Sequence, residues 1–126
     1  MYGLQSLAQL HQVRLHVVMH LRKTGQGGKS FETGEMPSLD DLKGSGALKQ
    51  VPDTIIFFAR DTQEPDDTLR RVATLAVGKN RWLGETGQAD RIIYDLDKNK
   101  YFPFDADAHE EAILQDEMLA GGQLRI

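Results

Sequence analysis

Two short, mostly apolar runs that hold β-branched residues constrain this chain most. Residues 13–21 read VRLHVVMHL and residues 54–59 read TIIFFA. Branching at Cβ stiffens χ1 and suits a pleated backbone better than a helix. Runs with so few polar positions read as strands buried on both faces, the pattern of a parallel sheet with helices above and below. Such strands commit the rest of the chain to supplying helical layers, so the expected class is α/β. Hydrophobic residues make up 40% and charged residues 27%, a globular composition that argues against a disordered chain.

Around these runs the other elements fall into order. Residues 2–11 place Leu4, Leu7, Ala8 and Leu10 at helical spacing. No capping residue precedes that helix, so its upstream partners are expected to be missing. Residues 22–37 hold Gly25, Gly27, Gly28 and Gly34 and read as a long loop, which in a compact domain is functional or disordered. Residues 38–41 offer N-cap side chains before a short turn. Residues 69–77 read as a partly exposed strand, 78–87 as a glycine-bounded basic turn and 88–96 as a strand. Residues 97–100 then turn a hairpin into 101–104. Residues 110–119 read as an acidic helix that Gly121 and Gly122 end.

Charge is unevenly placed. The net charge is -4, yet residues 105–117 hold six acids and no Lys or Arg. Residues 1–104 carry fourteen of the fifteen basic residues against thirteen acids, so that part is close to neutral. An acidic total therefore does not exclude nucleic-acid binding by basic loops. The absence of cysteine excludes disulfides and thiolate metal sites and fits a reducing cytoplasm. No signal peptide and no bilayer-spanning run is expected.

Three places could carry chemistry. His20 closes the first apolar run just before the glycine-rich loop, and ligands of open α/β sheets collect beyond the carboxyl ends of strands. The alternative is a histidine bonded to backbone. His16 shares its face by period two, but no third metal ligand is convincingly placed, so no metal is expected. The second place is DLKGSGALKQ, residues 41–50. Gly44 and Gly46 permit close backbone approach, Ser45 and exposed amides can donate to phosphate oxygens, and Lys43 and Lys49 add charge. The alternative is a flexible turn leading into a strand. Gly28-Lys29-Ser30 is no P-loop, because Lys23 stands where the upstream glycine belongs and Gly34 breaks any following helix. The third place is GKNRWLGETG, residues 78–87. Lys79 and Arg81 alternate, so in extended backbone they project to one side, and an anion between them would relieve their repulsion. Trp82 projects the other way, into a core or onto a neighbour. The alternative is a solvated basic hairpin.

Taken in order, VVMHL, DLKGSGALKQ, DTII, GKNRWLGETG and Tyr94–Asp95 resemble the RecA-like, ring-forming replicative DNA helicases: the phage primase–helicases, DnaB and the mitochondrial helicase Twinkle. The similarity runs from about residue 2 to residue 104. It implies the distal half of a RecA-like (P-loop NTPase) α/β sheet domain, with the P-loop and Walker-B strands missing upstream and an acidic, partly helical tail over residues 105–126. By the same resemblance His20 couples nucleotide state to DNA, and Gln50 is the γ-phosphate-sensing glutamine or its neighbour in that relay. Lys43, Gly44, Ser45, Gly46 and Lys49 track single-stranded DNA. Arg22, Lys23 and Lys29 fall in a second, variable DNA loop. Arg81 matches the arginine finger that reaches the adjacent subunit's ATP, with Lys79 beside it. In the parent homo-hexamer ATP and Mg²⁺ would be bound, and the acidic tail would meet replication proteins of the infected cell's cytoplasm. The segment alone is expected to hydrolyse no ATP and to self-associate. A reading from a different class is a stand-alone, non-catalytic module that binds single-stranded DNA or regulates a helicase.

Overall fold

A computed structural model describes residues 1–21, 30–42 and 46–123. The second apolar run becomes β1 (Thr54–Arg60), followed by α3 (Asp67–Arg70), β2 (Val72–Asn80), β3 (Gly87–Asp95) and β4 (Lys100–Pro103). The strands form one sheet in the order β1-β2-β3-β4, and each ladder is antiparallel. The result is an α/β chain built on an antiparallel meander, where the sequence pointed to parallel strands.

Local chemistry explains the boundaries. Strand structure was expected from residue 69, but Asp66 first caps a helical turn. Its Oδ1 accepts the N–H groups of Thr68 (2.8 Å) and Leu69 (2.9 Å), which satisfies two donors at the start of α3. The β3–β4 turn uses the same device. Asp95 Oδ1 accepts from the N–H groups of Asp97 and Lys98, both at 3.0 Å. Asn99 then takes the left-handed conformation (φ 54°) that closes the turn. The Tyr94 hydroxyl donates to the Asn99 side-chain carbonyl across the same hairpin.

The core is small. Among the described residues the buried apolar side chains are Val51, Phe57, Ala59, Val72, Ala73 and Ala76. Phe57 pairs with Ala76 across the β1–β2 ladder. Its ring lies so close over Gly78 that an added Cβ there would sit 2.3 Å from a ring carbon. Burial along β1 alternates, with Phe57 and Ala59 inside and Ile56 and Phe58 outside. Ile56 is 60% exposed and Phe58 50% exposed. Phe58 meets Tyr101 edge-on at 6.3 Å, and Tyr101 meets Tyr94 at 5.0 Å. β1 is therefore buried on one face, which corrects the expectation of burial on both.

The termini depart from expectation more. α1 spans Tyr2–His11 and ends on Gln12 in the left-handed region (φ 52°). Residues 13–21, read as a buried strand, enter no ladder, and Val13, Leu15, Val17, Val18 and Met19 are exposed. A strand is defined by a partner for its backbone, and β1 stands at the end of the described sheet without one on its outer side. α4 (Ala106–Gln123) is longer than the 110–119 expected and continues past Gly121. Asp105 Oδ1 accepts the Ala108 N–H (3.1 Å) at its start. Its first turn is held through His109, whose ring lies 5.8 Å from that of Phe104, with Nε2 3.8 Å from Asp66 Oδ2. Among the described residues no helix is long and apolar enough to cross a membrane.

Two predictions follow from this packing. Gly78→Ala should cost about 1–3 kcal/mol, the usual range for overpacking a filled site. Urea denaturation followed by circular dichroism would measure it, and adding Phe57→Leu should recover part of the loss. The second concerns acid. The Asp66 carboxyl is held below its ordinary 3.8, chiefly by the Leu69 N–H, and the Asp95 carboxyl likewise, chiefly by the Lys98 N–H. A depressed carboxyl stabilises the fold above its unfolded value and loses that contribution as pH falls through the folded one. Stability should therefore decline only below about pH 4 on account of these groups. Asp66→Asn, which keeps an acceptor without a proton to gain, should flatten part of that decline in urea melts collected across the range.

Candidate functional site

The far end of β2 lies beside the chain that enters β1, because Thr54 pairs with Asn80 and Ile55 with Lys79. One further bond, Arg81 N–H to the Asp53 carbonyl (2.9 Å), carries the contact past the ladder. Immediately upstream is the five-residue helix α2 (Gly46–Gln50). A helix that short has few internal bonds, and its last carbonyls have no donors of their own. Lys79 and Arg81 supply them. Lys79 Nζ donates to the carbonyls of Lys49 (2.7 Å) and Gln50 (2.9 Å). Arg81 Nη2 donates to the same Gln50 carbonyl (2.7 Å), and Nη1 to Asp53 Oδ1 (2.6 Å). Positive charge at a helix C-terminus is favourable for the same reason that these carbonyls need donors.

Lys79 and Arg81 thus project to one side and converge on one oxygen atom. That oxygen is a main-chain carbonyl, and the Asp53 carboxylate beside it offsets part of the paired positive charge. The Arg81–Asp53 pair is partly exposed, so its geometry matters more than its energy. α2 is tied down at two further points. Val51 is buried and donates its N–H to the Ala47 carbonyl (2.9 Å). Lys49 Nζ lies 3.7 Å from Asp40, which belongs to a 3₁₀ turn at Leu39–Asp41. That turn is closed by Asp41 Oδ2, which accepts from Ser38 N (2.7 Å) and Ser38 Oγ (3.0 Å). The cap side chains read at residues 38–41 form this box.

The structure therefore gathers four of the sequence candidates, Lys49, Gln50, Lys79 and Arg81, at one corner of the sheet. Gly46 begins the same helix. Lys43, Gly44 and Ser45 of the first proposed DNA loop, and Arg22, Lys23 and Lys29 of the second, lie outside the described residues. His20 is exposed and outside the sheet, so nothing described joins it to this corner. Trp82 follows Arg81 in the turn and is 76% exposed, outside any core. Asn80 Oδ1 accepts the N–H groups of Trp82 (3.2 Å) and Leu83 (3.3 Å) and shapes that turn. One contributor was missed. Asp53 stands in the DTII block, yet sequence reasoning gave it no role. The available signal was an acid directly before a strand whose partner strand ends in Lys79 and Arg81.

If the Lys79 ammonium caps α2, Lys79→Met should cost about 1 kcal/mol, the net worth of a hydrogen bond or two to a partly exposed carbonyl. Lys79→Arg should retain most of it. Thermal denaturation of the two variants beside the parent chain measures the difference.

No family model matches the chain. Over 95 residues, 75% of its length, the chain is 40% identical to a DNA helicase/primase of Enterobacteria phage T3. It spans a small part of that relative, 16% of its length. The match covers most of this chain at an identity well above chance and supports its placement in a helicase-related family.

Proposed function

We propose that this chain is the C-terminal segment of an ATP-dependent replicative DNA helicase, the distal half of a RecA-like ATPase domain that works as a homo-hexameric ring. The observation that carries the reading is the convergence of Lys79 and Arg81 on the end of α2. It supports reading Arg81 as a trans-acting arginine finger and Gln50 as a γ-phosphate sensor, because the two side by side, with Lys49 and Lys79, form one cluster. The likeness to a phage DNA helicase/primase supports the helicase part of this reading.

In this reading ATP and Mg²⁺ are bound between subunits of the parent ring. Two cationic donors that already meet at a single oxygen are suited to oxygens of a phosphate, where charge develops during phosphoryl transfer. Arg81 and Lys79 would serve the neighbour's nucleotide, and fingers of this kind contribute about 10³–10⁵ in rate. Exposed Trp82 would contact the neighbouring subunit. Lys43, Gly44, Ser45, Gly46 and Lys49 would hold the single-strand backbone, with Arg22, Lys23 and Lys29 on a second loop. His20 would relay nucleotide state. The acidic helix α4 is the surface left for replication partners.

Self-association belongs to the same proposal. Ile56, Phe58 and Tyr101 are exposed on one sheet face, and Leu7 and Leu10 on α1 and the apolar residues of 13–19 are exposed as well, which leaves apolar surface for a partner to cover. In the parent, further strands and helices would cover it; in the segment alone, a second copy would.

Fluorescence anisotropy with unrelated labelled oligonucleotides tests the DNA reading. Weak, sequence-independent binding is expected, falling steeply with salt and weakened by Lys43→Ala and Lys49→Ala, because phosphate contacts release counterions. Affinity indifferent to salt, or a strong preference for one sequence, would overturn it. In the full-length ring Arg81→Ala should abolish hydrolysis and spare nucleotide binding, and retained turnover would remove the finger. Light scattering tests assembly: a stable monomer at high concentration would rule out the proposed self-association.

A further inference from the structure

We propose that Asp53 is the positioning residue of the arginine finger, and that Arg81 and α2 move as one body. The inference rests on the reading of Arg81 as that finger. The guanidinium is held at two points on one short stretch of chain: Asp53 Oδ1 takes Nη1 (2.6 Å) and the Gln50 carbonyl takes Nη2 (2.7 Å). The main chain fixes the same pair, through the Arg81 N–H to the Asp53 carbonyl (2.9 Å). A planar guanidinium gripped on two nitrogens has its plane and direction set, which a single contact to a flexible arginine does not achieve. Nε and the remaining hydrogens on Nη1 and Nη2 are left to meet an anion.

The second grip gives the arrangement its consequence. Gln50 ends α2, and Lys79 holds the Lys49 and Gln50 carbonyls from the same side. A displacement of α2 drags the Gln50 carbonyl and turns the guanidinium with it. A change in where the guanidinium points pulls on α2 in return. Helix α2, which carries Lys49, and the finger of one subunit are then linked through two side chains and one carbonyl, with Asp53 setting the rest position. Coupling of this kind is reciprocal by necessity.

Hydrogen exchange by NMR on the 126-residue chain tests the arrangement, read at the Val51 and Arg81 amides, whose acceptors are the Ala47 and Asp53 carbonyls. Asp53→Asn and Arg81→Ala should each speed exchange there by about tenfold, the effect of losing a charge-assisted hydrogen bond. The double variant should exchange no faster than Arg81→Ala alone, because Asp53 acts through Arg81. Arg81→Lys, which keeps the charge and loses the two-point grip, should fall between the parent chain and Arg81→Ala. Amides of Phe57 and Ala59 serve as the control and should be unchanged. Additive effects, unchanged exchange at Val51 and Arg81, or acceleration that extends to Phe57 and Ala59 would each overturn the proposal, the last by making Asp53 a residue of the fold.

The same samples, titrated with a labelled twenty-nucleotide oligothymidylate, separate this inference from the reading beneath it. Binding should shift the Arg81 side-chain Nε resonance in the parent chain and shift it less in Asp53→Asn. Failure of the parent chain to bind removes the DNA reading and leaves the exchange result standing on its own. Binding that leaves the Nε resonance unmoved overturns the coupling between α2 and the finger.

Discussion

The ring of Phe57 against the backbone of Gly78 is the contact on which the rest of this structure depends. Phe57 pairs with Ala76, and its ring lies over the neighbouring Gly78, where an added Cβ would collide with it and disturb the phase of β1 against β2. The ladder shifts register between Ile55 and Ile56, one step before Phe57, and leaves Gly78 as the extra residue on β2 beneath the ring. With that phase set, Ile55 stands opposite Lys79 and Thr54 opposite Asn80. Everything at the functional corner follows. Lys79 and Arg81 fall on the side that carries α2, and Trp82 is left in water. A slip of one residue would turn both cations to the other face and separate them from the Gln50 carbonyl.

The same phase divides the molecule's apolar surface. Phe57, Ala59 and Ala76 turn inward, and Ile56, Phe58 and Tyr101 turn outward. A meander of four antiparallel strands can bury one face with the segments that flank it, and here those segments are short. Residues 32 and 33 bond to the end of β1 through Thr62 N–H to the Glu32 carbonyl (2.9 Å) and the Thr33–Asp61 bridge. The turn at Leu39–Asp41 and the helix α2 hold the corner near Lys49. The opposite face retains its aromatic row in water, and α1 and residues 13–19 add further exposed leucine and valine. Apolar surface exposed in this way is open to a partner.

Much of the local structure was legible in the residues. The helix at Tyr2–His11 follows from leucine spacing, and the capping box at Ser38 and Asp41 from side chains that prefer the backbone to themselves. The turn at Asp95–Asn99 is legible for the same reason, and β1, β3 and β4 from short apolar runs bounded by turn residues. The sequence also placed Lys79 and Arg81 on one side by alternation alone. It did not reveal Asp53, because an acid before a strand has many uses and its partner lies twenty-eight residues away. Nor did it reveal the turn of helix at Asp67–Arg70, where one capping aspartate outweighs the strand preference of the residues that follow.

What the sequence determined by itself was short-range: propensity, caps, turns and the side to which alternating residues point, all of which act within a few bonds of the residue concerned. What only the tertiary structure decided was how far each apolar run would be buried and by what. Residues 13–21 and 54–59 are both short and mostly apolar. One entered a ladder because β2 lies alongside it; the other did not, and remains exposed. A strand's burial is a property of its neighbours, and its own residues state only that it can accept them. The meeting of Lys79, Arg81, Gln50 and Asp53 has the same origin, since the register of β1 on β2 brings together two stretches of chain that no local rule connects.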